Sequence, residues 1–312
     1  MRTALLVAVI ATATGCSRDS VQPPKAAAKP AFNRLVFAGD VMLSRGVRRQ
    51  ILSAHDPALP FRKIAPLLAG SDIAFVNLES PFSDRGPYHE DGLIFHAAPD
   101  AIAGLEAAHV AIASTANNHS RDCGPHGVEF TVAWLRQHDI EPLGSSESAA
   151  RTHRGVVLER NGIRFGFLGY TYDQKNGNWR DIDNRIALAD PEVLCRDVAD
   201  IRKRADVVIV SMHDGIEYRT KPSKAQVAFA HAAIDAGAKL VIGHHPHVIE
   251  PEEAYHGGLI FYSLGNFVFD QYQRDATQHG EIVQVSFVGR DVLATHILPV
   301  RITPTGPELE AN

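Results

Sequence analysis

The sequence predicts an α/β fold in which two sheets pack face to face with helices outside, within one folded domain. Three observations lead there. Apolar runs of strand length alternate with amphipathic helical stretches from Arg34 to about residue 243. A closing series, GLIFYSLGNFVFD, EIVQVSFVG and VLATHILPV, has no helical stretch between its members and reads as antiparallel. Finally, five apolar runs end in polar clusters, as strands do when their C-terminal ends share the edge that carries a site.

The composition fits such a domain. A chain of 312 residues that is 45% hydrophobic and 21% charged is long enough, and apolar enough, for one large core. A formal charge of −5 and the lack of any Lys/Arg run argue against a dedicated nucleic-acid partner. Sixteen His against three Met is the unusual count, and it points to metal or acid–base chemistry.

Residues 1–16 read as a targeting segment rather than part of the fold. Arg2 supplies a positive start, and Leu5 to Ala13 form an apolar stretch too short to span a bilayer. Thr14 and Gly15 then lead to Cys16 in a pattern that resembles a lipobox, although Ala13 stands where Leu is usual. The reading is an exported lipoprotein anchored through lipidated Cys16, with plain secretion and an uncleaved anchor as the other outcomes. Residues 17–33 form a polar Pro/Ala/Lys linker, residues 34–303 the domain, and residues 304–312 a tail. Cys123 and Cys195 sit in no CxxC or nucleophile signature, and their pairing is open.

In order, Leu35 to Ala38 form a buried strand that stops at Gly39 and Asp40. A helix is expected over 60–69. DIAFVNLES is a strand ending in Asn77, Leu78 and Glu79. A helix over 99–108 precedes the strand HVAIAST, which ends in Asn117, Asn118 and His119. After a helix over 125–138, GVVLERNGIRFGFLGYT reads as a hairpin turning at Asn161 and Gly162. A helix near 190–204 leads into DVVIVSMHDG, ending in His213 and Asp214. A last helix, 222–236, precedes KLVIGHHPHVIEP, with His244, His245 and His247 in a tight turn. The closing strands are expected to finish a second sheet.

Singly, each strand-end residue has a structural explanation. Asp40 suits a turn, Glu79 a solvated strand end, Asn117 and Asn118 helix caps, and His213 a hydrogen-bonded core position. Together, two carboxylates, an amide and several imidazoles at one edge form an N/O ligand set for Mn, Fe or Zn, one ion or two. Arg45, just past the first strand, is a candidate to orient an anionic substrate. Ser263 has no nucleophile elbow around it, so a Ser–His reading is set aside.

FAGDVMLSRG, DIAFVNLESP, ANNHSRDCG, SMHDGIEY, AGAKLVIGHHPHVIEP and FYSLGNFVFD, in this order, resemble the motif set of the CapA (PgsA-type) poly-γ-glutamate capsule-biosynthesis family over about 34–270. That family is similar to the calcineurin-like metallophosphatases. The resemblance implies a four-layer α/β/β/α sandwich with a dinuclear site at the strand ends. It would place Asp40 and His247 on a first metal, with Glu79 bridging. Asn118, His213 and His245 would serve the second, His245 being preferred over His244 by the family's His-x-His spacing. His119 would be the acid that protonates a leaving group. Two departures stand out: Met42 replaces the His of an Asp-x-His motif, and the bridging position carries the longer Glu79. They predict a well-held second metal and a weaker first one.

Three functions are compatible with this set. The first is an envelope-anchored protein acting in synthesis or export of an anionic capsule polymer, poly-γ-glutamate by resemblance, with capsule-synthesis subunits as further partners. The second is an exported metal-dependent phosphoesterase or related hydrolase. The third is a polymer-binding scaffold without turnover.

Overall fold

The computed structural model describes residues 31–172 and 182–310; Cys16, with its expected lipid, and the linker through residue 30 lie outside them. The first apolar run forms β1 (Phe32–Val41), which begins two residues before the expected domain start. An amphipathic helix that the sequence reading does not anticipate follows, α1 (Arg45–Ala54), burying Val47 and Ile51 one turn apart. The helix expected over 60–69 is instead a 3-10 turn at Leu59–Phe61 and the short α2 (Ala65–Ala69). Pro60 and Pro66 each open one of these segments, since neither can donate within a continuous helix.

β2 (Ile73–Leu78), α3 (Ile102–Ala107), β3 (Val110–Ser114), α4 (Gly124–Gln137), β4 (Glu141–Leu143) and α5 (Ala149–Thr152) complete the first half. The hairpin of β5 (Val156–Arg160) and β6 (Ile163–Thr171) turns at Asn161 and Gly162, both at positive φ as a two-residue turn requires. α6 (Pro191–Ile201) is capped by the Asp190 carboxylate, and β7 (Val207–His213) follows. α7 (Lys224–Ala236) opens on a reciprocal capping box between Ser223 and Gln226. The remaining strands are β8 (Leu240–His244), β9 (Ile249–Tyr255), β10 (Gly258–Leu264), β11 (Asn266–Val268), β12 (His279–Val288), β13 (Asp291–Thr303) and β14 (Gly306–Leu309).

The strands form two sheets. One runs β14-β13-β12-β1-β2-β3-β4 with β11 paired to β1, and the other runs β5-β6-β7-β8-β10-β9. Leu35, Phe37 and Phe75 from the first sheet meet Phe167, Ile209 and Ile242 from the second in one apolar layer between them. A second cluster covers the outer face of the first sheet with side chains of α1, α3 and α4. A third joins β7 and β8 to α6 and α7. The result is the α/β/β/α sandwich.

Two expectations are corrected. EIVQVSFVG and VLATHILPV do not finish the second sheet. They are β12 and β13 of the first, where β12 pairs antiparallel to β1 from Phe32↔Val288 onward. β12 lies on the side of β1 away from β2, and the chain crosses back to this sheet at Gly265 (φ 68°). That switch brings backbones too close for side chains, since a Cβ on Gly39 would lie 2.0 Å from the Gly265 carbonyl oxygen. Nor is 304–312 only a tail, because β14 adds an edge strand to β13 through Val300↔Leu309. Cys123 and Cys195 are both free thiols, so they form no disulfide.

Candidate metal centre

All the strand ends singled out in the sequence converge on the C-terminal edge between the two sheets. β1 delivers Asp40, the residue after β2 is Glu79, the β3–α4 loop carries Asn118 and His119, and β7 and β8 end in His213 and His244. The turn after β8 places His245 and His247 at φ 103° and 59°. Left-handed backbone at two non-glycine residues costs on the order of 1 kcal/mol each, and the loop holds it to aim both imidazoles inward.

Glu79 is the centre of the cluster. It is fully buried, and neither of its carboxylate oxygens has a hydrogen-bond partner among the described residues. On one side, Asp40, Glu79 and His247 each offer a ligand atom, and on the other Glu79, His213 and His245 do, every set lying within 4.8 Å. Glu79 Oε1 is 3.6 Å from His247 Nε2 and 3.9 Å from His213 Nε2. Asn118 joins the second group through its Oδ1, 2.8 Å from His213 Nε2. A buried carboxylate with four empty lone-pair sites between imidazoles is costly unless a cation completes it. The residues fit a divalent ion in N/O coordination.

The protonation pattern agrees. Burial, reinforced by neighbouring imidazoles, pushes His245 down to about 3 and His213 well below its ordinary value, so both are neutral, as metal-ligating imidazoles must be. Burial alone would raise Asp40, but the His244 and His247 imidazoles beside it hold it well below the usual carboxylate range. Burial lifts Glu79 well above that range, helped by Asp40 and opposed by His247. Burial would depress His247, but Glu79 and Asp40 outweigh it and raise it to about 9. The proton that His247 holds is one that a cation at this site would displace.

Around these groups lies a buried polar shell that the sequence reading did not assign. Asn77 Nδ2 donates to Asp40 Oδ1 at 2.8 Å and approaches His213 Nδ1 at 3.2 Å. Asn266, on β11, is 3.1 Å from His247 Nδ1. His244 points between the sheets, 3.5 Å from Asp40 Oδ1 and stacked near Phe75, so it supports Asp40 while His245 enters the ligand group. Asn77 lies inside an apolar strand and Asn266 inside FYSLGNF; their polarity in those runs is the signal that could have found them.

His119 Nδ1 sits 2.7 Å from Asp122 Oδ2, its ring stacks on Phe95, and Nε2 faces Glu79 Oε1 at 3.9 Å. Met42 is outside both ligand groups. It is buried in the core beneath α1, and its Sδ accepts the Ser44 N–H at 3.1 Å. Arg45 is committed to protein partners. It pairs with Asp270, donates to the Gly92 carbonyl at 2.8 Å and lies 4.6 Å over the Phe95 ring.

The profile of the family described as bacterial capsule synthesis protein PGA_cap matches residues 34–271. The chain belongs to that family. The capsule biosynthesis protein CapA of Bacillus anthracis is 31% identical over 314 residues, a match covering 97% of this chain and 76% of that protein. The PGA biosynthesis protein CapA of Bacillus subtilis (strain 168) is 32% identical over 240 residues, covering 75% of this chain and 63% of that one. Among solved structures, a phosphatase from Mycoplasma pneumoniae superposes with a TM-score of 0.57 at 13% identity, covering 87% of this chain and 94% of that one. That likeness concerns the fold, which is metallophosphatase-like, as expected. This PGA_cap member is therefore a CapA-like capsule biosynthesis protein on a phosphatase-type sandwich, with candidate divalent-metal groups at its strand ends.

Proposed function

We propose that this protein acts at the bacterial cell envelope, in synthesis or export of an anionic capsule polymer, through a divalent-metal centre that the residues around Glu79 would hold. Poly-γ-glutamate is the polymer that the family resemblance favours, and subunits of a capsule-synthesis assembly are its expected partners. The observation that carries the reading is Glu79 itself, a buried carboxylate without hydrogen bonds, set between two groups of ligand atoms. In this reading Asp40, Glu79 and His247 would hold one ion. Glu79, His213, His245 and Asn118 would hold another, with Mn, Fe or Zn as the metal. A lipid on Cys16 would anchor the protein.

Such an ion supplies Lewis acidity towards an oxygen of a phosphoryl or acyl centre. The chain's own part is positional. Asp122 fixes His119 Nδ1–H and stabilises the imidazolium, so that Nε2 can deliver a proton to a group leaving from the Glu79 side. The dyad is what favours turnover, as in the exported hydrolase reading. Commitment of Arg45 to Asp270, and the absence of a ligand at Met42, favour binding without turnover.

Elemental mass spectrometry of the purified protein is the first test. One or two equivalents of Mn, Fe or Zn that fall in His213→Ala support the centre, and no metal even after reconstitution removes it. Capsule output from a deletion strain then separates the readings. Loss of polymer with His119→Ala, without generic phosphodiesterase activity, supports the capsule role. Phosphodiester turnover abolished by His119→Ala supports the hydrolase. Full rescue by His119→Ala supports the scaffold.

A further inference from the structure

At the end of the second sheet opposite the candidate metal centre lies a cavity of about 340 Å³ lined by Arg164, Arg202, Asp206, Lys239 and Arg290. Arg164 is near the start of β6, Asp206 immediately precedes β7, and Lys239 immediately precedes β8. Seven-residue β7 separates this end from His213 by roughly 20 Å. Four cations thus face one carboxylate among the described lining residues, on a chain whose formal charge is −5.

The cations are partnered but, with one carboxylate among four of them in the lining, they keep a surplus of positive charge. Arg164 and Arg290 share the single carboxylate of Asp206, at 2.9 and 2.6 Å. Lys239 Nζ donates to the Gly257 carbonyl at 3.0 Å, a neutral partner. The Arg202 guanidinium lies against Gly237, where a Cβ would come within 2.8 Å of Nη1. Preorganised guanidinium forks around a concave surface suit the oxygens of a phosphate.

Two further observations select a surface over a free anion. Ala31 accepts a hydrogen bond from Gly289 N at 2.7 Å, next to Arg290, so the start of β1 lies at this same end. Phe32, the first residue of β1, is 47% exposed, and Leu293, near the start of β13, is 63% exposed, giving the basic end apolar neighbours. Basic side chains beside exposed aromatic and aliphatic groups match the layering of headgroup and acyl boundary.

We propose that this basic end docks on the phosphate headgroups of an anionic phospholipid surface, turning the candidate metal centre away from the bilayer. It shares the envelope setting proposed above but draws on none of the metal ligands.

The test uses the full chain carrying Cys16→Ser, so that a lipid cannot dominate. Sedimentation is measured with vesicles of phosphatidylcholine alone and of equal parts phosphatidylcholine and phosphatidylglycerol. Preferential, salt-sensitive binding to the anionic vesicles is expected, weakening about fivefold per cation removed. Arg202→Glu/Lys239→Glu/Arg290→Glu is the strong variant. Arg202→Gln/Lys239→Gln, which leaves the Asp206 pairs intact, guards against misfolding. Equal binding to both vesicles, or binding unchanged in both variants, overturns the proposal. So does a site that captures inorganic phosphate or soluble poly-γ-glutamate but not vesicles. Metal content measured on the same samples separates this outcome from failure of the metal centre.

Discussion

Asp122 holds His119 by its Nδ1, 2.7 Å away, and the same carboxylate oxygen accepts the Phe95 backbone N–H at 2.6 Å. One buried anion therefore orients both the candidate acid and the aromatic ring it stacks on. Asp122→Asn should keep the metal content while cutting polymer output, or any hydrolytic rate, by about 10- to 1,000-fold through loss of imidazolium stabilisation. Asp122→Ala should in addition lower stability by about 1–3 kcal/mol, because the Phe95 N–H is left unpaired. Wild-type output from Asp122→Asn would remove the acid role of His119.

Glu79 sets stability against metal binding. In metal-free protein its carboxyl is buried without partners, so Glu79→Gln should raise metal-free stability by about 1–2 kcal/mol while abolishing tight metal binding. Asp40→Asn should spare the His213 and His245 group and lose at most one equivalent. Denaturant titration with parallel metal analysis reads both. A Glu79→Gln protein that still binds two ions would show that the carboxylate is no bridge.

Glu250 provides a pH signature away from the centre. Burial pushes its carboxyl up to about 7, against a 2.7 Å hydrogen bond from Gln226, with Asp214 adding to the rise. Its folded value exceeds its unfolded one, so folding favours the protonated form. That contribution is complete below the unfolded value and is lost as pH rises through about 7. Glu250→Gln should therefore match the wild type near pH 4 and exceed it by roughly 2 kcal/mol near pH 8. A melting-temperature difference that is flat across this range would contradict the assignment.

Gly243 lies in β8 one residue before His244, and a Cβ there would meet the Tyr262 carbonyl oxygen at 1.9 Å. β8 and β10 pair up to Ile242↔Phe261, one residue before this point, so the backbones would have to separate. Gly243→Ala should cost more than about 3 kcal/mol and displace His245 and His247, giving lower metal occupancy in whatever protein folds. Circular dichroism melts with metal analysis would register it, and a stable variant with full metal content would refute the contact.

Much was legible in the sequence because burial leaves a local trace. Strands β2, β3, β7 and β8 are apolar runs of strand length, and their polar ends announce themselves where apolar patterning stops. Those two signals point to these strands and to polar ends at Asp40, Glu79, Asn118, His119, His213 and the 244–247 turn; the choice of His245 within that turn comes from the family resemblance. What they do not encode is which distant edge a strand joins. β12 and β13 alternate equally well for either sheet, and the glycine-permitted switch at Gly265 with the pairing of β12 to β1 decides the choice. Nor can sequence tell which of His244 and His245 turns to Glu79. That follows from the left-handed backbone at His245 and from Phe75 filling the space beside His244. The commitment of Arg45 to Asp270, 225 positions away, is of the same kind. Local pattern determines what each strand is and where it ends; contacts between remote edges decide what those ends are able to hold.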